Sequence, residues 1–443
     1  MVALTFLKFD VTELIRRVHK IRTRKKSIIV IGVAVLVSLF SIYVILHILT
    51  PYSGFARSII WGDSDIKDYE RFPFRVVHNA PPVFQFSTVK VASPNTENKT
   101  SNSKSNNTSP FLSQLVLGSI VPLGSGDPSG DAKYRRMNFD SFLASTGTTA
   151  FIVIKDDKIL YEKYFGYQRD SINTSFSMAK SITSALIGIA IDEGLIASVD
   201  DPITKYIPEL KQKDPRFNNI TIKNLLTMSS GLSYVEQSLP WSDDTKTYYD
   251  TDLRSLALSA KIEEAPGKRF HYNNYNPLLL GIILERTTHK HVSQYLEEKI
   301  WKPLGMEAPG SWSLDSDASR YEKMESGINA RAIDFAKIGR LFLNNGNWNG
   351  KQIISEKWVN ESTRPDTTTD PAPFYQYMWW VDTTTTATTS SSRDISHHNF
   401  YAAGNYGQFI YVIPEKNIII VRHGYKSGYD NWIGFFKELA SKI

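Results

Sequence analysis

The chain has 443 residues and a formal charge of +6, from 51 basic and 45 acidic residues. Eight of the basic residues and two of the acidic residues lie in residues 1–26, which leaves 43 of each sign in the rest of the chain. No basic surface for a nucleic-acid partner is therefore expected on the main domain. The absence of cysteine excludes disulfides, thiolate metal sites and a cysteine nucleophile.

Residues 27–50 form an apolar stretch in which only His47 titrates near neutral pH. As a helix this stretch would be roughly 36 Å long, enough to cross a hydrocarbon core of about 30 Å. A cleaved signal peptide is the alternative, but the stretch is too long and the following TPYSGFARS offers no A-x-A-like cleavage site. We therefore expect a transmembrane helix at residues 27–50 in contact with the lipid bilayer. The basic residues 1–26 predict a cytoplasmic tail, with the remainder of the single-pass chain in a periplasm or extracellular space.

The next segment, residues 51–130, is predicted to be stalk and linker. Residues 51–91 mix aromatic and charged residues, which suits a stalk or the edge of a domain. Residues 92–110 have no apolar residue after the first, so burial cannot offset the entropy of ordering them. We expect one folded domain at residues 131–443.

This domain has the patterns of both strands and helices. TAFIVIKDDKILYEKYFGY predicts a hairpin with its turn at Asp156–Asp157. A strongly apolar helix is predicted after Ser177. Near the C-terminus, GQFIYVIPEKNIIIVRHG predicts a second hairpin with its turn at Pro414–Asn417, and NWIGFFKELASKI a last helix. Strands at both ends with helices between them indicate an α+β fold with a mixed sheet.

The first candidate site is Ser177 and Lys180. Three residues apart on a helix, the two side chains share one face, with roughly 5–6 Å between their Cβ atoms. A partly desolvated lysine could lose its proton and then take one from the serine hydroxyl. The free N–H groups of a helix start would favour developing negative charge. The alternative is an N-capping serine with a solvated lysine, but the apolar helix that follows favours a nucleophile.

Two further motifs have possible catalytic roles. Tyr272 and Asn274 lie between the turn APGK and the apolar PLLLGIIL, and a phenol near a lysine ammonium could act as a general base. A half-buried loop tyrosine and a capping asparagine are the alternative. In Ala402-Ala403-Gly404-Asn405, the glycine would allow the backbone to approach a substrate closely. The alternative is an ordinary turn at the entry of a strand, which would have the same sequence pattern.

Three segments, FSMAKSITSALIGIAIDEGLIASVDDPITKYIPEL, IKNLLTMSSGL and PGKRFHYNNYNPLLLGIILE, together resemble the serine β-lactamase and penicillin-recognising superfamily. The resemblance is to the class C-like branch, which includes 6-aminohexanoate-dimer hydrolases and related esterases. It extends in order from near Phe139 to the C-terminus. It implies a mainly antiparallel mixed sheet flanked by helices, an all-helical lobe, and a site between the two.

The resemblance also implies a role for each candidate residue. Ser177 would be the acylated nucleophile, Lys180 its cationic partner and Tyr272 the general base. Asn274 would hold the substrate carbonyl or order Lys180. The main-chain N–H groups of Ser177 and Asn405 would form an oxyanion hole beside Gly404. No metal or organic cofactor is expected.

The third motif departs from the pattern of the superfamily. Where β-lactamases and D-Ala-D-Ala peptidases have a cation and a hydroxyl for a substrate carboxylate, this chain has Ala402 and Ala403. A membrane-anchored serine hydrolase for an ester, amide or peptide-like small molecule is therefore predicted, with classical β-lactamase activity disfavoured. A catalytically weak receptor or scaffold for a cell-envelope ligand, or an acyl transferase or transpeptidase, is the alternative.

Two groups of residues have weaker signals. The aromatic residues Tyr375, Trp379 and Trp380 are candidates for the acyl pocket, with core packing as the alternative. The histidine pairs His289/His291 and His397/His398 lack the spacing of a known metal motif, and a solvated face is the expectation for them.

Overall fold

The computed structural model describes residues 31–46, 48–50, 53–88, 137–366, 372–383 and 398–443. The chain divides into two compact units, residues 1–63 and residues 64–443. In the first unit, residues 31–46 are helical, and a helix at Gly54–Trp61 is capped by the side chain of Ser53.

The predicted transmembrane helix and linker lie partly or wholly outside the described residues. Within the described ranges, the helices are too short or too polar to cross a bilayer. Residues 27–30 and His47 of the predicted span, and all of the predicted linker at residues 92–110, are not described. The transmembrane helix and the linker therefore stay predictions.

The second unit contains fourteen described strands. In chain order they are β1 (Phe74–Val77), β2 (Ser87–Thr88), β3 (Thr148–Lys155), β4 (Lys158–Tyr164), β5 (Ile172–Thr174), β6 (Gly310–Ser313), β7 (Ile328–Arg331), β8 (Asn347–Trp348), β9 (Lys351–Gln352), β10 (Tyr375–Gln376), β11 (Trp379–Val381), β12 (Phe400–Gly404), β13 (Gln408–Ile413) and β14 (Ile418–Gly424).

The helices of this unit lie mostly between β5 and β10. In chain order they are α1 (Phe139–Ser145), α2 (Met178–Asp192), α3 (Pro208–Lys213), α4 (Ile222–Leu226), α5 (Asp243–Tyr249), α6 (Leu253–Leu258), α7 (Tyr275–Thr288), α8 (Val292–Leu296), α9 (Ala332–Leu343), α10 (Glu356–Thr363) and α11 (Trp432–Ser441).

The main sheet has eight strands in the order β10-β11-β12-β13-β14-β3-β4-β2. Neighbours are antiparallel except β2 and β4, which are parallel. Within this sheet, the C-terminal strand β14 pairs with β3, with Ile420 opposite Val153. A second sheet has the order β1-β6-β7-β5, and β8 and β9 form a separate hairpin. The domain is thus α+β with a mixed sheet, as predicted.

The hydrophobic core lies on both faces of the main sheet, because side chains alternate along a strand. On β3, Ile152 and Ile154 face the large cluster that includes α2, α7 and α9. Phe151 and Val153 face the opposite cluster, which includes α1 and α11. Helix α2 is buried on all sides from Met178 to Ala190, which is consistent with its mainly apolar sequence.

Both predicted hairpins are confirmed. Strands β3 and β4 meet at Asp156 and Asp157, whose φ angles are +51° and +58°. Strands β13 and β14 are joined by a turn that ends at Asn417, which is also left-handed. These turns need residues that tolerate positive φ, as aspartate and asparagine do.

The boundary of the domain differs from the prediction. Residues 74–77, assigned to the stalk, pair with β6, and residues 87–88 pair with β4. The folded domain therefore begins before residue 131. Strands β1 and β2 are only four and two residues long, too short for a periodic pattern that could reveal partners far along the chain.

Candidate active site

Ser177 lies directly before α2, and Lys180 lies in the first turn of that helix. Nζ of Lys180 donates to Oγ of Ser177 at 2.9 Å and to the main-chain oxygen of Glu325 at 2.9 Å. Lys180 is 1% exposed, whereas Ser177 is partly exposed. The two residues thus meet as the helical spacing predicts, with the hydroxyl on the accessible side.

The backbone before Ser177 is strained. Phe176 has a φ of +45°, a region that bulky residues rarely occupy. Its ring packs edge-on against Tyr406 at 5.3 Å between centroids. Surrounding contacts must hold such a conformation, and residues of this kind cluster at functional sites. Here the strained residue directly precedes Ser177, between β5 and α2.

Tyr272 joins the pair from the loop that precedes α7. Its ring centroid lies 4.9 Å from Nζ of Lys180. The ring stacks on Trp380 at 6.1 Å and meets Tyr375 edge-on at 5.9 Å. Burial raises the pKa of Tyr375 well above its usual value, so this neighbour stays protonated. The three predicted catalytic side chains are therefore adjacent.

Asn274 caps α7, and its amide makes other contacts than those predicted. Nδ2 donates to the hydroxyl of Tyr234 at 2.8 Å and to Oγ1 of Thr247 at 3.1 Å, with Oδ1 of Asp244 at 3.3 Å. Burial and the Asp244 carboxylate raise the pKa of Tyr234, which keeps its proton. Oδ1 of Asn274 is buried without a partner among the described residues.

The main-chain oxygen of Glu325 orders Lys180 in place of the Asn274 side chain. Sequence reasoning missed this contact. A carbonyl is present at every residue, so no side-chain type marks the position. The Glu325 side chain is itself buried and pairs with Lys323 at 3.0 Å.

The end of β12 lies close to the main chain around Ser177. A Cβ atom on Gly404 would lie 3.1 Å from the main-chain N of Ser177 and 2.4 Å from the oxygen of Ser175. Gly404 is extended, with φ −141°, so space rather than conformation requires glycine here. Asn405 follows in a 3-10 turn. The motif therefore lies beside the nucleophile, as predicted.

The aromatic segment divides between the site and the core. Tyr375 and Trp380 contact Tyr272, whereas Trp379 is fully buried against Phe342 and Phe400. Neighbouring residues of a strand point to opposite faces, so Trp379 and Trp380 cannot both face the site. Trp379 is thus a core residue and not part of an acyl pocket.

A separate cavity of about 540 Å³ lies between the end of α2, α10 and the turn joining β10 to β11. Asp192, Trp358 and Tyr377 line it, and the three predicted catalytic residues do not. Of the predicted histidine pairs, His397 is outside the described residues.

A comparison with known families places this fold and site in one of them. A family model described as Beta-lactamase matches residues 137–424, which is more than half of the chain. The chain belongs to the beta-lactamase family.

Two relatives are similar to this chain in sequence. The 6-aminohexanoate-dimer hydrolase of Paenarthrobacter ureafaciens is 23% identical over 311 residues, which is 65% of this chain and 75% of the relative. Protein flp of Staphylococcus aureus (strain MW2) is 29% identical over 171 residues, 35% of this chain and 33% of flp.

Solved structures share the fold. A putative 6-aminohexanoate-dimer hydrolase from Bacillus anthracis has a TM-score of 0.65 at 23% identity, and the match covers 86% of this chain and 93% of that one. EstCE1, described as a hydrolase with promiscuous acyltransferase activity, has a TM-score of 0.53 at 14% identity, covering 68% of this chain and 95% of that one. The family and its fold are thus established for this beta-lactamase family member.

Proposed function

We propose that this beta-lactamase family member is a serine hydrolase that cleaves an ester or amide through an acyl-enzyme on Ser177. One observation carries the proposal: Nζ of Lys180 lies 2.9 Å from Oγ of Ser177 and 4.9 Å from the ring centroid of Tyr272. An amine, a hydroxyl and a phenol so placed can pass a proton between them, as attack by a serine hydroxyl requires.

In the first half-reaction, Oγ of Ser177 bonds to the substrate carbonyl carbon while its proton passes to the phenolate oxygen of Tyr272, with the Lys180 ammonium as the cationic partner. The carbonyl oxygen becomes an oxyanion that accepts from the N–H groups of Ser177 and Asn405. Each such donor contributes about 3–4 kcal/mol in the transition state. The bond to the alcohol or amine then breaks, and the leaving group takes the proton from Tyr272. In the second half-reaction, water attacks the carbonyl carbon of the acyl-enzyme and gives a proton to Tyr272. The bond to Oγ of Ser177 then breaks, Oγ takes the proton back from Tyr272, and the acid leaves.

The walls of the site support a neutral substrate. Ala402 and Ala403 offer neither a cation nor a hydroxyl to a substrate carboxylate. Trp380, partly exposed beside Tyr272, offers aromatic surface that suits an apolar acyl or leaving group, and the buried Tyr375 packs against both rings. A neutral ester or amide is therefore favoured over a classical β-lactam, and efficient hydrolysis of a cephalosporin would contradict this preference.

The test is turnover of p-nitrophenyl esters by the purified full-length chain, with mass spectrometry of the trapped acyl-enzyme. We expect an adduct on Ser177 and no turnover by Ser177→Ala. Lys180→Ala and Tyr272→Phe should each lower kcat/KM at least ~100-fold, the size of an acid–base contribution. The matched control is Ser184→Ala, which changes a buried serine of the same helix whose hydroxyl has no hydrogen-bond partner among the described residues. Unchanged rates in all three active-site variants would refute the assignment.

Acyl transfer is the second candidate, because the name of the structural neighbour EstCE1 includes an acyltransferase activity. Adding a primary amine or alcohol to the ester assay separates the two. An acylated acceptor formed faster than the free acid would identify transfer. An adduct that never turns over would instead favour the binding-only alternative, a receptor or scaffold for a cell-envelope ligand.

We also propose that residues 27–50 anchor the protein in a membrane, with the catalytic domain outside the cytoplasm. The support is the apolar sequence with its basic flank, together with exposed apolar side chains such as Leu36 and Phe40 on the helix of residues 31–46. Alkaline carbonate extraction should leave the full-length chain in the membrane pellet and release Leu36→Lys/Phe40→Lys. Extraction of the unmodified chain would contradict anchoring.

A further inference from the structure

Away from the active site, three metal-ligating side chains meet around the C-terminal end of α7. Glu285 lies in the last turns of α7, His291 directly precedes α8, and Glu322 lies in a bridge with Leu314. One ligand atom from each lies within 4.8 Å of the others. We call these three residues the carboxylate–imidazole cluster. Its members come from separate segments of the chain, which helix α7 and the second sheet bring together.

The Glu322 carboxylate is the buried member of the cluster. The residue is fully buried, and its Oε1 accepts from Arg75 at 2.6 Å and from N and Oγ of Ser293 at 3.2 and 2.7 Å. Its Oε2 is buried and has no hydrogen-bond partner among the described residues. A buried carboxylate oxygen without a partner is costly, and a cation bound at the cluster would offset that cost.

Glu285 and His291 complete the arrangement. Oε2 of Glu285 accepts from Arg254, which leaves Oε1 toward the imidazole. Nδ1 of His291 lies 3.6 Å from that Oε1, too far for a direct hydrogen bond. Two ligands of one tetrahedral zinc ion are roughly 3.4 Å apart, given metal–ligand distances near 2.1 Å. The His291 side chain is 55% exposed, so an ion can enter from solvent.

We propose that the carboxylate–imidazole cluster binds one Zn²⁺ ion through Oε2 of Glu322, Oε1 of Glu285 and Nδ1 of His291. Arg75 and Arg254 each neutralise one carboxylate and fix its orientation, while the second oxygen of each remains for the metal. Imidazole with carboxylates suits zinc, whereas Mg²⁺ and Ca²⁺ prefer oxygen ligands alone. Water completes the coordination on the exposed side.

The ion would act as a staple rather than in catalysis. It would tie the end of α7 to the start of α8 and to the segment that carries Glu322. The other end of α7 begins after Asn274, so the staple would hold one end of the helix whose start lies at the active site. Sequence spacing alone did not reveal this cluster, because Glu322 is far from His291 along the chain.

The test is zinc titration of the chelator-treated full-length chain by isothermal calorimetry, with Mg²⁺ in parallel. We expect one zinc site and no matching Mg²⁺ site. Glu322→Gln, which keeps the size of the side chain, and His291→Ala should each weaken zinc binding at least about tenfold. His289→Asn is the matched control: it removes an exposed imidazole two residues away and suits the left-handed backbone there.

A second measurement covers the case in which Glu322→Gln fails to fold. Because zinc that binds only the folded state stabilises it, the unfolding temperature should rise with added zinc in the unmodified chain and in His289→Asn. It should not rise in His291→Ala, whose replaced side chain is largely exposed. The proposal is overturned if His291→Ala keeps the full zinc affinity and thermal shift, or if the unmodified chain binds no zinc.

Discussion

At Gly404, adding a single side-chain atom is expected to disturb the active site. Strand β12 approaches the nucleophile so closely that any Cβ on Gly404 would contact the main chain of Ser175 and Ser177. Ser175 and Ser177 lie on either side of the strained Phe176, so neither can shift away from the new Cβ without moving that residue. We therefore predict that Gly404→Ala displaces Ser177 relative to Lys180 and lowers kcat/KM by roughly 10²-fold, as misplacement by about 1 Å does. Ester hydrolysis by the folded variant is the measurement.

The control for Gly404→Ala is Gly166→Ala. Gly166 has a φ of +72° and open space around a built Cβ, so alanine there costs about 1–2 kcal/mol of backbone strain without touching the site. The control should lose stability and keep its rate per folded molecule. If Gly404→Ala hydrolyses esters as fast as the unmodified chain, the close approach of β12 has no catalytic role.

At the residue scale, the sequence could predict the site residues that act through their side chains. Ser177, Lys180 and Tyr272 are adjacent because helical spacing and a recognisable loop fix their positions. The carbonyl of Glu325 carries no such signature, and the inward direction of Trp379 depends on the register of β11 in the sheet. Register and main-chain contacts are set by tertiary packing, which a local pattern does not encode.

At the scale of elements, the turn between β10 and β11 links the aromatic wall to the nucleophile helix. Its two residues, Tyr377 and Met378, both have positive φ, at +41° and +65°. Two-residue hairpin turns of this type normally use asparagine and glycine, because bulky residues cost of order 1–3 kcal/mol each there. Oγ of Ser181, in α2, donates to the oxygen of Met378 at 2.6 Å and holds the turn.

Ser181→Ala should therefore loosen this turn. The variant leaves a buried carbonyl without its donor, so we expect a loss of about 1–3 kcal/mol in the free energy of unfolding. Because Tyr375 and Trp380 flank the turn and contact Tyr272, KM for an apolar ester should also rise. Urea unfolding and steady-state kinetics are the measurements.

Helix α2 provides its own control for that prediction. Ser184 is as buried as Ser181, but its hydroxyl has no hydrogen-bond partner among the described residues. Ser184→Ala should keep or raise stability and leave KM unchanged. Equal losses in the two variants would mean that the Ser181–Met378 bond does not support the turn.

The same scale shows which elements local pattern can reveal. The hairpins β3–β4 and β13–β14 are predicted because alternation and turn residues occur within one short stretch. The second sheet is not predicted, since β1 pairs with β6 across more than two hundred residues. Such pairings follow from the hydrophobic faces that remain after the local elements form, and only the assembled domain contains that information.

At the scale of the whole molecule, buried titratable groups link the stability of the domain to pH. His423 on β14 is fully buried beside Phe335, and Nδ1 lies 2.7 Å from Oε1 of Gln408. Burial, with the neighbouring Arg422 guanidinium, lowers the pKa of His423 to about 3. In the unfolded chain a histidine has a pKa of about 6.5. Below that pH the unfolded state binds a proton that the folded state cannot.

His423 therefore destabilises the fold as pH falls from about 6.5 toward 3, since its folded pKa is the lower one. Between pH 7.5 and pH 5 its contribution to the loss is about 2 kcal/mol. His423→Gln keeps a hydrogen-bond donor for Gln408 but does not titrate. Between pH 7.5 and pH 5, the free energy of unfolding of this variant should therefore fall by about 2 kcal/mol less than that of the unmodified chain, as measured by urea unfolding. Asp68, Asp315 and Asp334 have raised pKa values, so their contribution to stability increases as pH falls. These three residues are present in both the unmodified protein and His423→Gln, so their contributions cancel when the two are compared. His289→Asn, at an exposed site, should follow the pH dependence of the unmodified chain. A pH dependence of His423→Gln equal to that of the unmodified chain would show that His423 is protonated in the folded domain.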